Sequence, residues 1–183
     1  MKRLVFAAVL AGALLVAVAA TAAVAHKNGG SKTKLDSYQE LPTLSTGASG
    51  SIKISVRSDG IHYRLKYSGF TTPVLQAHIH FGRTAMPNGG IIAFLCGPQP
   101  TAGDKPVCPQ GSGTVEGVID AADIIAGAAA QGIAAGELTE AIRALRKDAV
   151  YANVHSQQFP GGEIRGNIGD NGNNGKGKRR DDD

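Results

Sequence analysis

The amino-acid sequence predicts an all-β domain built as an antiparallel β-sandwich. Glycine supplies 25 of the 183 residues, about twice its usual share of roughly 7%, and glycine favours turns over helix interiors. Apolar and polar side chains alternate along much of the central sequence, which is the period of a strand with one buried face. Clusters of Gly, Pro and Ser separate these segments. Seven or eight short strands joined by such turns are typical of two packed sheets.

The first 25 residues have the features of an export signal. Lys2 and Arg3 precede an uninterrupted apolar run at residues 4–20, and Ala23-Val24-Ala25 matches a small-x-small cleavage site. The run of 17 residues is also close to the shortest membrane-spanning helix, so a retained amino-terminal anchor is the alternative to cleavage. After cleavage we expect no membrane span, and we expect residues 26–34 to form a polar leader.

The first strands of the domain are predicted to form a hairpin. Ile and Val alternate with polar residues over residues 51–57, and the same alternation returns over residues 61–67. Ser58-Asp59-Gly60 lies between the two segments and has the composition of a tight turn. His62 falls on the solvent-facing side of the second strand.

The remaining extended segments follow at short intervals. The pattern predicts strands at residues 74–81, 91–95, 113–119, 149–156 and 163–168, with an edge strand at residues 35–40. Each segment is bounded by turn-forming residues, so short connections are expected between neighbouring strands.

One late connection follows helical spacing instead. Leu138, Ala141, Ile142 and Leu145 recur at the positions that form one face of a helix. Asp120 is placed to cap a shorter helix over residues 121–130. One or two short helices are therefore expected within this connection, packed on the sheets.

The ends of the chain carry most of its positive charge. The whole chain has a formal net charge of +4, whereas residues 35–168 carry −1. A basic domain for nucleic acid is therefore not supported. Residues 169–183 contain no apolar side chain, and we expect them to form a disordered charged tail because they cannot gain burial energy.

The two cysteines are predicted to form a structural disulfide. Cys96 and Cys108 enclose eleven residues that include three prolines and two glycines and have no periodic pattern. An exported protein preserves such bonds, and this spacing does not resemble a metal-binding or redox Cys-x-x-Cys motif.

Two strands carry the side chains that are candidates for metal binding or catalysis. His78 and His80 are two positions apart on one strand, so both imidazoles point to the same face. Tyr151, Asn153 and His155 share a face of a later strand for the same reason. Each of these strands therefore combines one polar face with one apolar face.

A polar network is predicted where the later strand meets the last one. If these strands pair so that residue numbers sum to 318, then His155 faces Glu163 and Asn153 faces Arg165. Glu163 and Arg165 also share one strand face, which favours an ion pair between them. This register is a hypothesis, since a slip of one residue would place these groups on opposite faces.

These residues resemble the CHRD (chordin-type) domain. The similarity is carried by Ala-His-Ile-His-Phe-Gly at residues 77–82, Tyr-Ala-Asn-Val-His-Ser at residues 151–156 and Pro-Gly-Gly-Glu-Ile-Arg-Gly at residues 160–166, and it extends over residues 35–168. The family occurs in exported bacterial proteins and in animal chordin. The resemblance implies an extracellular immunoglobulin-like or superoxide-dismutase-like β-sandwich without an established catalytic activity.

A more distant similarity concerns copper/zinc superoxide dismutases, sandwiches that also use a His-x-His strand to bind metal. By that analogy His78, His80 and His155 would meet around one copper or zinc ion, since imidazole suits both. The alternatives are a network of neutral histidines bonded to Glu163 and Asn153 without metal, and a ligand site for an anion or a sugar. The bridging histidine and the zinc loop of those enzymes have no counterpart in this chain.

We therefore expect a secreted, periplasmic or cell-surface CHRD module that acts by binding, with a metal-binding superoxide-dismutase-like protein as the alternative. No cofactor is required by the first interpretation, and copper or zinc by the second. The partner is expected to be an extracellular protein or glycan.

Overall fold

The computed structural model describes residues 30–85 and 89–169. The predicted export signal, residues 26–29 of the predicted leader and residues 170–183 of the predicted disordered tail lie outside these residues. Among the residues described, no helix has the length and apolar character needed to cross a membrane.

Eight strands and one α-helix make up this part of the chain. The strands are β1 (Ser31–Asp36), β2 (Ser49–Arg57), β3 (Gly60–Ser68), β4 (Val74–Phe81), β5 (Gly90–Cys96), β6 (Gly113–Ile119), β7 (Val150–Ser156) and β8 (Ile164–Ile168). The helix α1 covers Leu138–Arg146, and short 3-10 helices cover Ser37–Gln39 and Ala126–Gln131.

All eight strands belong to one antiparallel sheet in the order β5-β4-β7-β8-β1-β2-β3-β6. The sheet is nearly closed, because the end strands β5 and β6 approach one another. Two halves therefore face each other across the core, one made of β5-β4-β7-β8 and the other of β1-β2-β3-β6. The all-β prediction with few helices is confirmed. The α-helix and one 3-10 helix lie in the late connection, whereas the 3-10 helix at Ser37–Gln39 follows β1.

The alternating pattern placed most strands within a residue or two of their observed bounds. β1 differs, because it covers Ser31–Asp36 and lies between β2 and β8, whereas the sequence predicted an edge strand at residues 35–40. Ser31 to Lys34 are thus part of the sheet and not of a polar leader. Thr33 and Leu35 are buried and alternate with the exposed Lys32 and Lys34. The Thr33 hydroxyl donates to the Asn167 carbonyl at 2.9 Å.

The core lies between the two halves of the sheet. Branched aliphatic side chains from every strand fill it, among them Ile52, Leu65 and Val154, each fully buried. The Tyr63 hydroxyl crosses from β3 to donate to the Leu95 carbonyl of β5 at 2.8 Å. That bond gives a buried phenol its partner and joins the two end regions of the sheet.

The loop between β5 and β6 is held at both ends and in its middle. Cys96 and Cys108 form the predicted disulfide, which is confirmed. Lys105 is buried within the loop, and its ammonium contacts Asp123 at 2.7 Å, Asp104 at 2.9 Å and the Val118 carbonyl at 3.1 Å. Three acceptors satisfy the three N–H groups of this buried cation.

Candidate functional site

The outer face of β4, β7 and β8 carries a continuous set of polar side chains. His78 of β4 lies opposite Asn153 of β7. Asn153 in turn lies opposite Arg165 of β8, as in the predicted register in which paired residue numbers sum to 318. Opposed residues of antiparallel strands share a face, so these side chains point away from the apolar core. They are nevertheless buried, because the segments after β1, β4 and β7 cover this half of the sheet.

The three predicted histidines come together on this covered face. His78 and His80 come from β4 and His155 from β7, and each offers a ring nitrogen within 4.8 Å of the others. Ring centroids are 4.7 Å apart for His78 and His155, and 5.4 Å apart for His78 and His80. All three side chains are buried.

Backbone carbonyls orient two of the three imidazoles. The Nδ1 of His80 lies 2.7 Å from the Gly89 carbonyl, and the Nδ1 of His155 lies 2.9 Å from the Pro160 carbonyl. A carbonyl oxygen only accepts, so each Nδ1 must carry the proton and each Nε2 must carry a lone pair. Metal-binding histidines are usually held in this way by an N–H bond on the far side of the ring.

The remaining ring nitrogens have no partner. Nε2 of His80, Nε2 of His155 and both nitrogens of His78 are buried without a hydrogen bond among the described residues. His78 instead packs edge-on against the Phe94 ring, with centroids 4.7 Å apart. A buried polar atom without a partner costs about 1–3 kcal/mol, and such groups in a folded protein are candidates for ligand or ion contacts.

The electrostatics of the site keep the imidazoles neutral. Burial lowers the pKa of His78 to about 2, and the neighbouring His155 and His80 add to the effect. Burial also lowers the pKa of His155 to about 4, against the Pro160 carbonyl that raises it. The pKa of His80 is lowered by burial as well. Neutral imidazole is the form that binds a metal ion.

The three nitrogens fit a transition-metal ion with a small adjustment. Ligand nitrogens about 2.0–2.1 Å from a tetrahedral ion lie roughly 3.3 Å apart, and here they lie within 4.8 Å. Rotation of the His78 ring would break no hydrogen bond, since neither of its nitrogens has one. Three protein ligands would leave one coordination position open.

A buried carboxylate that the sequence did not indicate lies beside the histidines. Glu40, after the 3-10 helix that follows β1, accepts from Arg165 Nε at 2.6 Å and from Asn153 Nδ2 at 2.8 Å. Glu40 is 2% exposed and Arg165 is 5% exposed. Burial raises the pKa of Glu40 above its ordinary value, although Arg165 opposes the shift.

Glu40 is therefore the ion-pair partner of Arg165, a role that the shared strand face predicted for Glu163. Glu163 is buried, but the ion-pair partner of Arg165 is Glu40 and not Glu163. The histidines likewise bond to backbone carbonyls and not to Glu163 or Asn153. The reason is that residue spacing describes contacts within and between strands, whereas Glu40 arrives from a distant loop.

Glycines of the Pro-Gly-Gly-Glu-Ile-Arg-Gly motif permit this close packing. Gly162 has φ +127°, and a Cβ at this position would lie 2.6 Å from Asn153 Oδ1 and 2.9 Å from Glu40 Oε1. Gly166 brings β8 against the Lys34 carbonyl of β1, where a side chain has no space. The motif thus keeps the loop after β7 and strand β1 tight against the polar residues.

Tyr151 connects the histidines to the Arg165 ion pair. Its ring stacks on His80 with a centroid distance of 4.7 Å and an interplanar angle of 1°. The Arg165 guanidinium carbon lies 5.0 Å from the centre of the same ring. The two parts of the site are therefore packed as one unit, and stacking restricts the orientation of His80.

Comparisons with known proteins agree with the motifs. The CHRD domain model matches residues 31–168, from the first residue of β1 to the last residue of β8. Comparisons with curated proteins and with solved structures returned no significant match. The matched segment covers well over half of the sequence and contains both histidine motifs. The chain therefore belongs to the CHRD domain family.

Proposed function

We propose that this protein is a secreted CHRD module that acts by binding, and that one of its ligands is a single copper or zinc ion held by His78, His80 and His155. The observation that carries the metal site is the set of buried imidazole nitrogens without partners, which lie within 4.8 Å of one another. Their Nδ1 bonds to Gly89 and Pro160 supply the supporting shell that such ligands need.

Family membership supports the extracellular part of the proposal. CHRD domains occur in extracellular proteins, and the family indicates a binding or surface module. The Cys96–Cys108 disulfide fits an oxidising compartment. The apolar run at residues 4–20 and the small residues that follow it are consistent with export.

The three imidazole ligands limit which metal ions the site can bind, but they do not define a reaction. Three neutral imidazoles suit zinc and copper, whereas calcium and magnesium prefer oxygen ligands. The histidine cluster does not by itself favour superoxide chemistry, because the same donors serve both zinc and copper. We therefore assign the site to binding and derive no catalytic step from it.

The test is metal uptake by protein purified without a histidine tag. After treatment with chelator, titration with zinc or copper should show one equivalent bound, and His155→Ala should abolish that uptake. Binding should also raise the melting temperature, since an ion at a hundred times its dissociation constant stabilises by about 2.7 kcal/mol.

His62 provides the matched control. It lies on β3, outside the cluster, and its Nε2 contacts Asp59 at 2.7 Å, so His62→Ala should leave metal uptake unchanged. Two results would refute the site: less than about a tenth of an equivalent taken up by the unmodified protein, or equal loss of uptake in both variants.

A further inference from the structure

The outer face of the other half of the sheet is strongly basic. Exposed cations line β1, β2 and β3 on this face, which we call the basic face: Lys32, Lys34, Lys53, Arg57, Arg64 and Lys66. Within the described strands of this half, two acidic side chains share the face: Asp36 at the end of β1 and Glu116 of β6. The net charge of the domain conceals this patch because acidic residues elsewhere offset it.

Strand register places like charges directly opposite one another. Lys32 pairs with Lys53, Lys53 pairs with Arg64, and Arg64 pairs with Glu116. Opposed residues have Cβ atoms about 4.5–5.5 Å apart, and like charges at that distance destabilise a sheet. This row therefore costs folding energy that an alternating arrangement of charges would avoid.

Most of these cations have no counter-ion in the fold. Arg64 Nε contacts Glu116 at 3.2 Å, in a pair whose side chains are both more than half exposed. Lys32, Lys53 and Lys66 form no ion pair within residues 30–85 and 89–169. Their charges are thus available to a ligand in solution.

This face also has room for a large anion. An open groove of about 710 Å³ runs over it, lined among others by Lys32, Lys53, Arg57, Arg64 and Glu116. The Ser55 hydroxyl also lines the groove, and Ser51 and Thr114 lie on either side of Lys66 in the strand register. The groove therefore offers both charges and neutral hydrogen-bonding groups.

We infer that the basic face binds an acidic polysaccharide, an inference that rests on the extracellular location in the proposed function. Sugar carboxylates at regular intervals would contact the lysine and arginine side chains of the basic face. Sugar hydroxyls would contact its serine and threonine side chains. Lysine is a compact charge on a flexible side chain, so it can contact a carboxylate without the fixed bidentate geometry of arginine.

Other polyanions fit the face less well. The exposed large apolar side chains of the described residues are Tyr38, Leu41, Leu75 and Val107. None lies on these strands, so the basic face has no apolar side chain to insert into a lipid surface. Tyr63 and Tyr67 of β3 are buried, so the face also lacks an aromatic platform on which nucleic-acid bases could stack.

The experiment measures binding of the purified protein to polygalacturonate at low salt, with neutral dextran, duplex DNA and anionic phospholipid vesicles in parallel. We expect binding to polygalacturonate and none to dextran. The combined change Lys32→Gln, Lys53→Gln and Lys66→Gln should weaken the binding about tenfold or more. An ionic strength of about 1 M, where the Debye length is about 3 Å, should abolish it.

A control variant removes the same total charge elsewhere. Arg143, Arg146 and Lys147 are exposed on and just after α1, and replacing all three by Gln should leave polygalacturonate affinity within about twofold of the unmodified protein. Equal weakening in both triple variants would show an effect of net charge alone and would overturn the inference. Absence of binding, or tighter binding to DNA or vesicles, would overturn it as well.

Failure of this inference is separable from failure of the metal site. The lysine triple variant should still take up metal, and His155→Ala should still bind polygalacturonate, because the two sets of residues lie on different halves of the sheet. Loss of polysaccharide binding in His155→Ala would contradict the assignment to the basic face.

Discussion

The two outer faces of the sheet are built from the same alternation of apolar and polar residues and differ in what covers them. On the half formed by β5-β4-β7-β8, loops bury the polar side chains, including His78 and Arg165. On the half formed by β1-β2-β3-β6, the polar side chains such as Lys53 stay in water. The comparison shows that coverage, and not pattern, decides whether a polar strand face becomes a buried site or a charged surface.

Coverage also changes the energy of each interaction. A charge removed from water needs a close partner, which Glu40 provides for Arg165 at 2.6 Å. An exposed pair such as Arg64 and Glu116 is screened by solvent and contributes little. The covered face should therefore be sensitive to substitution, and the basic face tolerant.

The largest expected effect follows from breaking the covered ion pair. Glu40→Ala leaves the buried Arg165 charge without its partner and removes the acceptor of Asn153. We expect a loss of about 3–5 kcal/mol in the free energy of unfolding, measured by denaturant titration. A loss below about 1 kcal/mol would show that this pair behaves like a surface pair.

Acidification should weaken the metal-free protein next. The folded pKa values of His155 and His78 are lowered, to about 4 and about 2, so the unfolded chain binds more protons once the pH falls below about 6.5. Stability is then fully present above about pH 6.5 and falls on acidification by up to about 1.4 kcal/mol per pH unit for each histidine.

The charged and titratable groups around these rings are His80, Tyr151, Arg165 and Glu40. Arg165 adds to the penalty on a protonated His155, and Glu40 is engaged by Arg165. Denaturation in chelator at a series of pH values measures the slope. Equal stability at pH values of about 7 and about 5 would contradict the prediction.

A smaller effect on stability is expected from His78→Leu, a variant that should separate folding from metal binding. His78→Leu removes two buried nitrogens that have no hydrogen bond, so in chelator we expect unchanged stability or a gain of up to about 1 kcal/mol. The same variant should lose the rise in melting temperature caused by zinc or copper. A large loss of stability in chelator would show that His78 is held by structural contacts.

His80→Ala is the companion variant. It loses the bond to the Gly89 carbonyl and the stacking on Tyr151, and it should destabilise the protein by about 1–3 kcal/mol even in chelator. Unchanged melting in chelator would contradict the role of these contacts.

The smallest effect is expected on the basic face. A double-mutant cycle on Arg64 and Glu116, both replaced by Ala, should give a coupling energy of about 0.2–1 kcal/mol that decreases with salt. A coupling as large as that of Glu40 and Arg165 would mean that the two faces do not differ in the way their exposure indicates.

Local patterns predicted much of the fold. The alternation of apolar and polar residues in β2 and β3 placed that hairpin within two residues, and the spacing of Leu138, Ala141 and Leu145 placed α1. The bounds of β1 were predicted wrongly because its alternating lysines have the composition of a solvated leader. Its burial depends on partners in β2 and β8, which a linear pattern does not show.

The candidate site was predictable only in part. His78, His80 and His155 could be selected because their spacing on strands gives a face to each side chain. The carbonyls of Gly89 and Pro160, and the carboxylate of Glu40, could not be selected. They lie in loops, where no period relates sequence position to direction.

The sequence by itself determined the strand periodicity, the pairing of the two cysteines and the side chains that share a strand face, because each depends on local geometry or on a count of residues. Only the tertiary structure decided that loops bury one polar face and leave the other in water. It also decided that Glu40 would neutralise Arg165 and that six cations would gather on one surface. These outcomes depend on contacts between residues far apart in the chain, where the energy of a charge is set by the solvent and partners that folding leaves around it.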